Sequence, residues 1–208
     1  MMTEQPIKAQ LEAGFSALGL ALDPTAFGTY LTLLNQWNKA YNLTAVRDIN
    51  AMVSRHILDS LAILPWMRGN TWIDVGTGPG LPGIPLALAC PDAEITLLDS
   101  NGKKTRFLRE VVRVLSLKHV NVVESRVEAY HPPKRFDTVV SRAFSAMEPM
   151  VKNTQHLIDE QGLWVAMKGQ VPNEELSVLA RVNPAYQIKQ YTVPGAAAAR
   201  CCILIEST

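Results

Sequence analysis

Apolar residues in the first third of the chain recur every three or four positions, the spacing that puts them on one face of an α-helix. We predict helices in series. The first stops at Gly19. The second begins with the capping residue Asp23 and has Pro24 in its first turn, and the third begins with the cap Asp48. No strand pattern interrupts them, so a helical cap is predicted over residues 1–68.

From residue 69 onward, short apolar runs alternate with amphipathic stretches. This alternation predicts an α/β fold in which parallel strands are joined by right-handed helical crossovers. Helices are expected at 82–90, 103–115 and 148–157. Strands are expected at 73–75, 95–98, 120–124, 136–140 and 162–167, followed by a hairpin of 186–193 and 201–205 across Pro194–Gly195. Residues 69–208 should therefore form one compact unit around about seven strands, mostly parallel, with one antiparallel member.

Composition and charge restrict the class of protein. The 208 residues suffice for one sizeable domain with an elaboration, and a net charge of +1 means that nucleic acid binding would need a local basic patch. Cys90, Cys201 and Cys202 show neither metal-ligand spacing nor a disulfide framework, which favours a reducing cytoplasm. With no leader pattern and no apolar run of about 18 residues, we expect no membrane segment. We also expect no metal.

The chain is organised around a strand that ends at Asp74 and leads through a glycine-rich turn into a helix. The turn contains Gly76, Gly78, Gly80 and Gly83. Glycines permit a tight turn and a close approach of the backbone to a nucleotide-like cofactor. Residues 78–83 also satisfy the dinucleotide pattern GxGxxG, which leaves an NAD-dependent oxidoreductase as an alternative. Asp74 would repel a pyrophosphate and attract a cation, which favours S-adenosylmethionine, a ligand with a sulfonium and an ammonium group and no phosphate.

Asp99 is a second candidate for cofactor binding. It ends the second predicted strand, about 25 residues beyond Asp74, near the spacing of about 20 expected for an acid that binds ribose hydroxyls. The alternative is a turn residue in the segment 99–102. Its position after a strand and a glycine loop favours the cofactor interpretation.

Several blocks of the sequence together resemble the glucose-inhibited division protein B family, bacterial enzymes that methylate a guanine at N7 in small-subunit ribosomal RNA. The blocks are WNKAYNLT (37–44), RHILDS (55–60), DVGTGPGLPGIP (74–85), LLDS (97–100), SRAF (141–144) and KG (168–169). They span roughly residues 35–170. The resemblance implies a class I, Rossmann-like methyltransferase fold with an N-terminal helical cap, and S-adenosylmethionine as the cofactor.

The resemblance also implies that Gly76, Leu81, Val127, Glu128 and Arg142 bind the cofactor. With the acids and glycines at the strand ends, the predicted cofactor-binding residues are Asp74, Gly76, Gly78, Gly80, Leu81, Asp99, Ser100, Val127, Glu128 and Arg142. Val127 and Glu128 would meet the adenine, because a glutamate can accept a hydrogen bond from its amino group. Arg142 would lie near the methionine end and clamp the cofactor's carboxylate, while Asp74 balances the ammonium.

Residues on the rim of the pocket are candidates for binding the RNA. They are Asn42, Arg47, Arg55 and His56 from the cap and Lys168 from the fifth strand. Arg142 and Phe144 are candidates to stack on a guanine that is splayed out of the RNA. For His56, a buried structural histidine is the alternative. The near-neutral charge leads to the hypothesis that the substrate is a ribonucleoprotein particle, and we expect a cytoplasmic monomer.

The chemistry of guanine N7 explains why no catalytic base or nucleophile is assigned. N7 has an in-plane lone pair and no proton, so the transfer needs alignment and exclusion of water rather than a general base. Methylation at pyrimidine C5 would need a cysteine beside the cofactor, and the three cysteines lie in the first helix after the loop and in the last strand, so we do not expect this reaction. Amine methyltransferases carry an Asn/Asp-Pro-Pro-aromatic sequence where this chain has residues 141–144, so we do not expect methylation of an exocyclic amine either. A protein that keeps the fold and binds RNA without catalysis stays open as a further alternative.

Overall fold

The computed structural model describes residues 4–142, 146–183 and 185–207. These residues contain the strands β1 (Thr71–Val75), β2 (Glu94–Asp99), β3 (Val120–Glu124), β4 (Phe136–Arg142), β5 (Ile158–Lys168), β6 (Tyr186–Tyr191) and β7 (Arg200–Glu206). They form a seven-stranded sheet in the order β3-β2-β1-β4-β5-β7-β6. Of these strands, β7 alone runs in the direction opposite to the other six. The predicted mostly parallel sheet with one antiparallel member is confirmed.

The N-terminal part is helical, as predicted. It consists of α1 (Glu4–Ala17), α2 (Pro24–Tyr41), α3 (Ile49–Met52), a π-helical turn (Val53–Leu58) and α4 (Asp59–Leu61). Asp23 caps α2 by accepting a hydrogen bond from the Thr25 N–H at 3.0 Å, and Asp48 caps α3 through the Asn50 N–H at 3.0 Å. The π-helical turn was not predicted. Such turns occur frequently at functional sites, and this one carries two of the predicted RNA contacts.

Helices cover both faces of the sheet. The remaining helices are α5 (Gly83–Ala89), α6 (Gly102–Val114), α7 (Met147–Thr154) and α8 (Asn173–Val182). The cap shares one apolar core with α5, α6 and one face of the sheet, while α7 and α8 pack on the other face. The rings of Tyr30 and Trp37 from α2 lie 6.4 and 5.5 Å from that of Phe107 in α6. Because cap and sheet share a core, the boundary near residue 68 stays a prediction.

Three details differ from the sequence prediction. No element was predicted where α8 lies, because its apolar stripe is short: Leu176 and Leu179 are its buried residues among those whose side chains are described. β5 begins at Ile158, four residues before the predicted start. The predicted hairpin of β6 and β7 is present, but residues 192–199 connect its strands in place of a tight turn. None of the described helices has both the length and the apolar character needed to cross a membrane.

Candidate active site

The loop between β1 and α5 contains glycines with different roles. Gly76, Gly78 and Gly80 have φ angles of 69°, 62° and 98°, a region that L side chains rarely adopt. A Cβ on Gly78 would face open space, with the Gly76 carbonyl oxygen 4.0 Å away. A Cβ on Gly80 would lie 2.5 Å from Ile84 Cγ1 and 2.8 Å from Leu108 Cδ2. Gly78 therefore leaves room for a ligand, whereas Gly80 is required by packing.

The backbone N–H groups of this fully described loop all donate to oxygens of the protein itself. The N–H groups of Gly76 and Thr77 donate to the Leu98 carbonyl oxygen at 2.9 and 3.1 Å. The Gly78 N–H donates to Asp99 Oδ2 at 3.0 Å. The other donors, which bond to the loop's own carbonyl oxygens or to Asp74, are Gly80, Leu81, Gly83 and Ile84. The two prolines have no N–H, so this loop has no donor left over for an anionic group.

A cleft of about 200 Å³ lies next to the loop, where β1, β2 and β3 reach their carboxyl ends. Open parallel sheets bind ligands at this edge. The predicted cofactor residues that line the cleft are Gly76, Asp99, Ser100, Val127 and Glu128. Leu81 is 2% exposed and belongs to the apolar core, as do the residues that Gly80 approaches. Gly80 and Leu81 therefore pack the loop against the apolar core. A direct contact of either residue with the cofactor stays a prediction.

Asp99 joins the end of β2 to the glycine loop. Its Oδ2 accepts the Gly78 N–H and lies 3.4 Å from Lys104 Nζ. Its Oδ1 accepts the Asn101 N–H at 2.9 Å, which forms the turn that the sequence offered as the alternative interpretation. The side chain is buried and also lines the cleft. A structural role and a cofactor role are therefore compatible at this residue.

Asp74 lies fully buried beneath the loop. Its Oδ2 accepts hydrogen bonds from the Thr77 hydroxyl at 2.6 Å and from the Gly83 N–H at 2.8 Å. Its Oδ1 has no hydrogen-bond partner among the described residues. Burial raises the pKa of Asp74 to about 6, although these two hydrogen bonds and the charge of Arg142 act to lower it. A buried carboxylate with one unpaired oxygen is suited to receive a cationic or hydrogen-bond-donating group.

The raised pKa of Asp74 should make the cofactor-free protein less stable as pH rises from about 4 to 6. In this window the unfolded chain has lost the Asp74 proton while the folded chain retains it, so a rise in pH favours unfolding. The difference between the two pKa values corresponds to about 3 kcal/mol. In Asp74→Asn, the amide oxygen can accept both hydrogen bonds that Oδ2 accepts, and this loss is absent.

Urea denaturation of both proteins between pH 4 and 7 measures this effect. The free energy of unfolding of the variant minus that of the wild type should increase by about 3 kcal/mol across the range and stay constant above it. A difference that does not change with pH would show that Asp74 titrates normally.

Arg142, at the carboxyl end of β4, is held by the cap. Its Nη1 donates to the Arg55 carbonyl oxygen at 3.0 Å and lies 3.5 Å from Asp59 Oδ2. The other oxygen of Asp59 lies 3.4 Å from Tyr191 Oη and 3.7 Å from Arg200 Nε. Burial raises the pKa of Asp59, and the two arginines oppose that shift. The π-helical turn and the residue after it thus provide the oxygens that orient the Arg142 guanidinium.

The predicted RNA contacts of the cap differ in exposure. His56 is 4% exposed, and its Nε2 lies 3.0 Å from Thr44 Oγ1. Burial, together with nearby arginine charges, lowers the pKa of His56 to about 4, so the ring is neutral at pH 7. Asn42 is exposed and its Oδ1 accepts a hydrogen bond from Arg47 Nη2 at 2.6 Å. Arg55 is also exposed. A surface contact with RNA is therefore open to Asn42, Arg47 and Arg55 and closed to His56 in this conformation.

Lys168 connects three elements at the same edge of the sheet. Its Nζ lies 2.9 Å from Oε2 of Glu175 in α8. The same oxygen accepts the N–H of Met147, the first residue of α7, at 3.0 Å. Phe144, the aromatic candidate for stacking on the guanine, lies outside the described residues. Within the described part of the chain, no group of three or more His, Cys, Asp or Glu side chains could hold a metal ion.

Comparison with known proteins decides the family. The family described as rRNA small subunit methyltransferase G matches residues 24–203. The chain belongs to the rRNA small subunit methyltransferase G family. It is 54% identical over 208 residues to Ribosomal RNA small subunit methyltransferase G of Legionella pneumophila, in an alignment that covers 100% of this chain and 99% of that relative.

Solved structures with a similar fold are also methyltransferases. A methyltransferase from Geobacter sulfurreducens has a TM-score of 0.61 at 12% identity, over 86% of this chain and 89% of its own. A SAM-dependent methyltransferase from Aquifex aeolicus has a TM-score of 0.55 at 16% identity, over 73% and 91% of the two chains. Identities this low show the fold alone. The Rossmann-like methyltransferase fold predicted for this member of the rRNA small subunit methyltransferase G family is confirmed.

Sequence reasoning missed several contacts around the site of this family member. The Tyr30 hydroxyl of α2 donates to the Pro79 carbonyl oxygen at 2.9 Å and links the cap to the glycine loop. The Ser141 hydroxyl donates to the Val75 carbonyl oxygen at 2.8 Å and links β4 to the end of β1. Ser141 and Asp59 lie inside two of the family blocks, which was the available signal. The sequence places Tyr30 on an apolar stripe of α2, a pattern that indicates packing and gives no sign of this hydrogen bond.

Proposed function

We propose that this chain transfers a methyl group from S-adenosylmethionine to N7 of a guanine in small-subunit ribosomal RNA. The observation that carries the choice of cofactor is the glycine loop, whose N–H groups all donate to protein oxygens and which has carboxylates at Asp74 and Asp99. A pyrophosphate needs free donors at such a loop and would be repelled by Asp74. The loop therefore supports S-adenosylmethionine over NAD. Membership of the family supports ribosomal RNA as the substrate.

Residues that line the cleft or lie near it fit this cofactor. The carboxylates of Asp99 and Glu128 can accept hydrogen bonds from ribose hydroxyls and from the adenine amino group. Asp74 is fully buried beneath the loop, where its negative charge and unpaired Oδ1 favour a cationic group such as the ammonium in the space above. The open side of Gly78 leaves space for the ligand. Arg142, with a side chain 22% exposed, can pair with the carboxylate of the methionine end.

When bound, S-adenosylmethionine supplies an electrophilic methyl group on a sulfonium. Because guanine N7 carries no proton, the chain has to orient the two reactants and exclude water rather than remove a proton. The Tyr30 hydroxyl holds the glycine loop against α2, and Asp59 orients Arg142. A thiolate nucleophile is disfavoured, since burial raises the pKa of Cys202 to about 12 and that of Cys201 as well.

The proposed reaction predicts 7-methylguanosine as the product. Methylation leaves a positive charge on the guanine ring, and reduction followed by aniline then cleaves the RNA at that nucleotide. Primer extension on treated small-subunit RNA should stop at one guanine only when both protein and cofactor have been present. The single-turnover rate should stay nearly constant between about pH 6.5 and 9, because no general base titrates and Asp74 is mostly ionised throughout this range.

Other outcomes would contradict this proposal or select an alternative. Methyl recovered on an exocyclic amine or a ribose, or a rate that rises tenfold per pH unit, would exclude N7 transfer without a base. Calorimetry with both cofactors separates the NAD-dependent oxidoreductase, and transfer of labelled methyl separates a non-catalytic RNA-binding protein. Comparing protein-free RNA with the assembled subunit tests the hypothesis of a ribonucleoprotein substrate.

The proposal also includes a monomer in the cytoplasm and RNA contacts at Asn42, Arg55 and Lys168.

A further inference from the structure

A second concave surface lies at the opposite edge of the sheet, where β1, β2, β3 and β4 begin. This groove has a volume of about 490 Å³. It is lined by the first residues of these strands, by the turn before β3, and by the segment before β4, which includes Pro132 and Pro133. The two ends of the five-residue strand β1 are about 17 Å apart, whereas the linings of the groove and the cofactor cleft come within two residues of each other on β2, at Thr96 and Leu98. None of the predicted cofactor or RNA residues lines it.

Positive charge is concentrated in this groove. Its lining contains Lys118, Lys134 and Arg135 against a single acid, Glu94, and all four side chains are exposed. None of the three cations makes an ion pair with a described residue. The nearby carboxylate of Asp137 is already bonded to the backbone at the start of β1. Because hydrogen bonding leaves the Asp137 carboxylate negatively charged, the three cations face two carboxylates, and the local excess of positive charge is +1.

The cations stand on both sides of the groove. Lys118 precedes β3, and Lys134 and Arg135 precede β4. Because β2 and β1 lie between β3 and β4, the two flanks are about 14 Å apart at the usual strand spacing. The half-buried ring of Tyr130 also lines the groove. A basic groove with an aromatic ring is the arrangement that binds single-stranded nucleic acid without sequence preference.

We infer that this groove binds the phosphodiester backbone of a single-stranded segment of the RNA substrate, separately from the site of methyl transfer. The inference rests on the proposed function, because RNA is the polyanion on which that function acts. It also answers the requirement set by the near-neutral net charge, since a chain without a strong overall field needs a local basic patch to hold RNA. The substrate then contacts both edges of the sheet.

A pair of triple variants tests the groove. Lys118→Gln/Lys134→Gln/Arg135→Gln removes the groove's cations. Lys8→Gln/Lys152→Gln/Arg181→Gln removes the same charge from three exposed positions on α1, α7 and α8. Binding of fluorescein-labelled oligouridylate and of protein-free small-subunit RNA is measured against KCl concentration. Calorimetry with S-adenosylmethionine and thermal melting are measured on the same proteins.

Each phosphate contact on a single strand contributes about 0.7 to the slope of log affinity against log salt. The groove variant should therefore lose about 2 from this slope and about a hundredfold in affinity for both RNAs at 0.1 M salt. The control variant at Lys8, Lys152 and Arg181 should lose much less of both the slope and the affinity. Affinity for S-adenosylmethionine should stay within about twofold of wild type in both variants, because none of the six residues lines the cleft.

Equal losses in the two triple variants, or an unchanged slope in the groove variant, would overturn the inference. A loss seen on the assembled small subunit and not on protein-free RNA would replace it with a ribosomal-protein contact. If wild type methylates the RNA and the groove variant binds it normally, the groove inference fails and the proposed function stands. If wild type binds S-adenosylmethionine and neither binds nor methylates protein-free RNA or the assembled small subunit, both fail.

Discussion

Replacement of Gly80 by alanine is expected to lower the free energy of unfolding by about 2–5 kcal/mol, whereas the same replacement at Gly78 should lower it by about 1–2 kcal/mol. Both glycines have positive φ angles, so both variants bear the backbone strain of an L residue in that region. Only at Gly80 would the new methyl group also collide, with Ile84 and Leu108. Chemical denaturation of the two variants measures the difference.

The same pair separates stability from cofactor binding. Gly78→Val should stay folded and fail to bind S-adenosylmethionine, because its side chain occupies the open space that the loop offers to a ligand. Gly78→Ala gives a graded control with a smaller side chain. Normal cofactor affinity in a folded Gly78→Val protein, measured by calorimetry, would mean that the cofactor does not approach this side of the loop.

Asp99→Ala should weaken binding of S-adenosylmethionine about ten- to a hundredfold. Removal of a hydrogen-bonded charged partner typically costs about 1.5–3 kcal/mol, which corresponds to that range of affinity. The variant should also lose stability, since Asp99 accepts the backbone N–H groups of Gly78 and Asn101. Stability loss alone therefore cannot identify the cofactor role, and a matched control is needed.

Asp137→Ala provides that control. Asp137 also accepts two backbone N–H groups, those of Asn70 and Thr71, at the edge of the sheet away from the cofactor cleft. Both alanine variants should be destabilised to a similar degree, and only Asp99→Ala should lose cofactor affinity when both are measured well below their melting temperatures. If the two variants bind S-adenosylmethionine equally well, Asp99 is a structural turn residue and the ribose contact is wrong.

Local chemistry made much of the fold predictable. The caps at Asp23 and Asp48 depend on residues two positions away, and both are present. The apolar runs of the central strands are continuous because helices cover both faces of the sheet. α8 escaped prediction because its described buried side chains are only Leu176 and Leu179, too few to establish a helical period.

The candidate site was less predictable, because its contacts join distant parts of the chain. The sequence groups the glycines of the loop as one cradle, yet the packing role of Gly80 depends on Leu108 in α6. Arg142 depends on Asp59, 83 residues away, and the glycine loop depends on Tyr30, 49 residues from Pro79. No local pattern encodes such pairs. The sequence predicted that a ligand binds at the carboxyl ends of the strands. It did not predict which distant residues orient the side chains there.

The fully occupied donors of the glycine loop have a consequence for inhibitor design. A compound that carries a phosphate or diphosphate would bring anionic oxygens to a loop without a free N–H and next to Asp74 and Asp99. A scaffold that presents hydroxyl or amide donors to Asp99, and a positive charge above the buried Asp74, matches the chemistry of this region. Proteins whose glycine loops keep their N–H groups free for phosphate favour the opposite pattern, so such a scaffold should discriminate against phosphate-binding glycine loops.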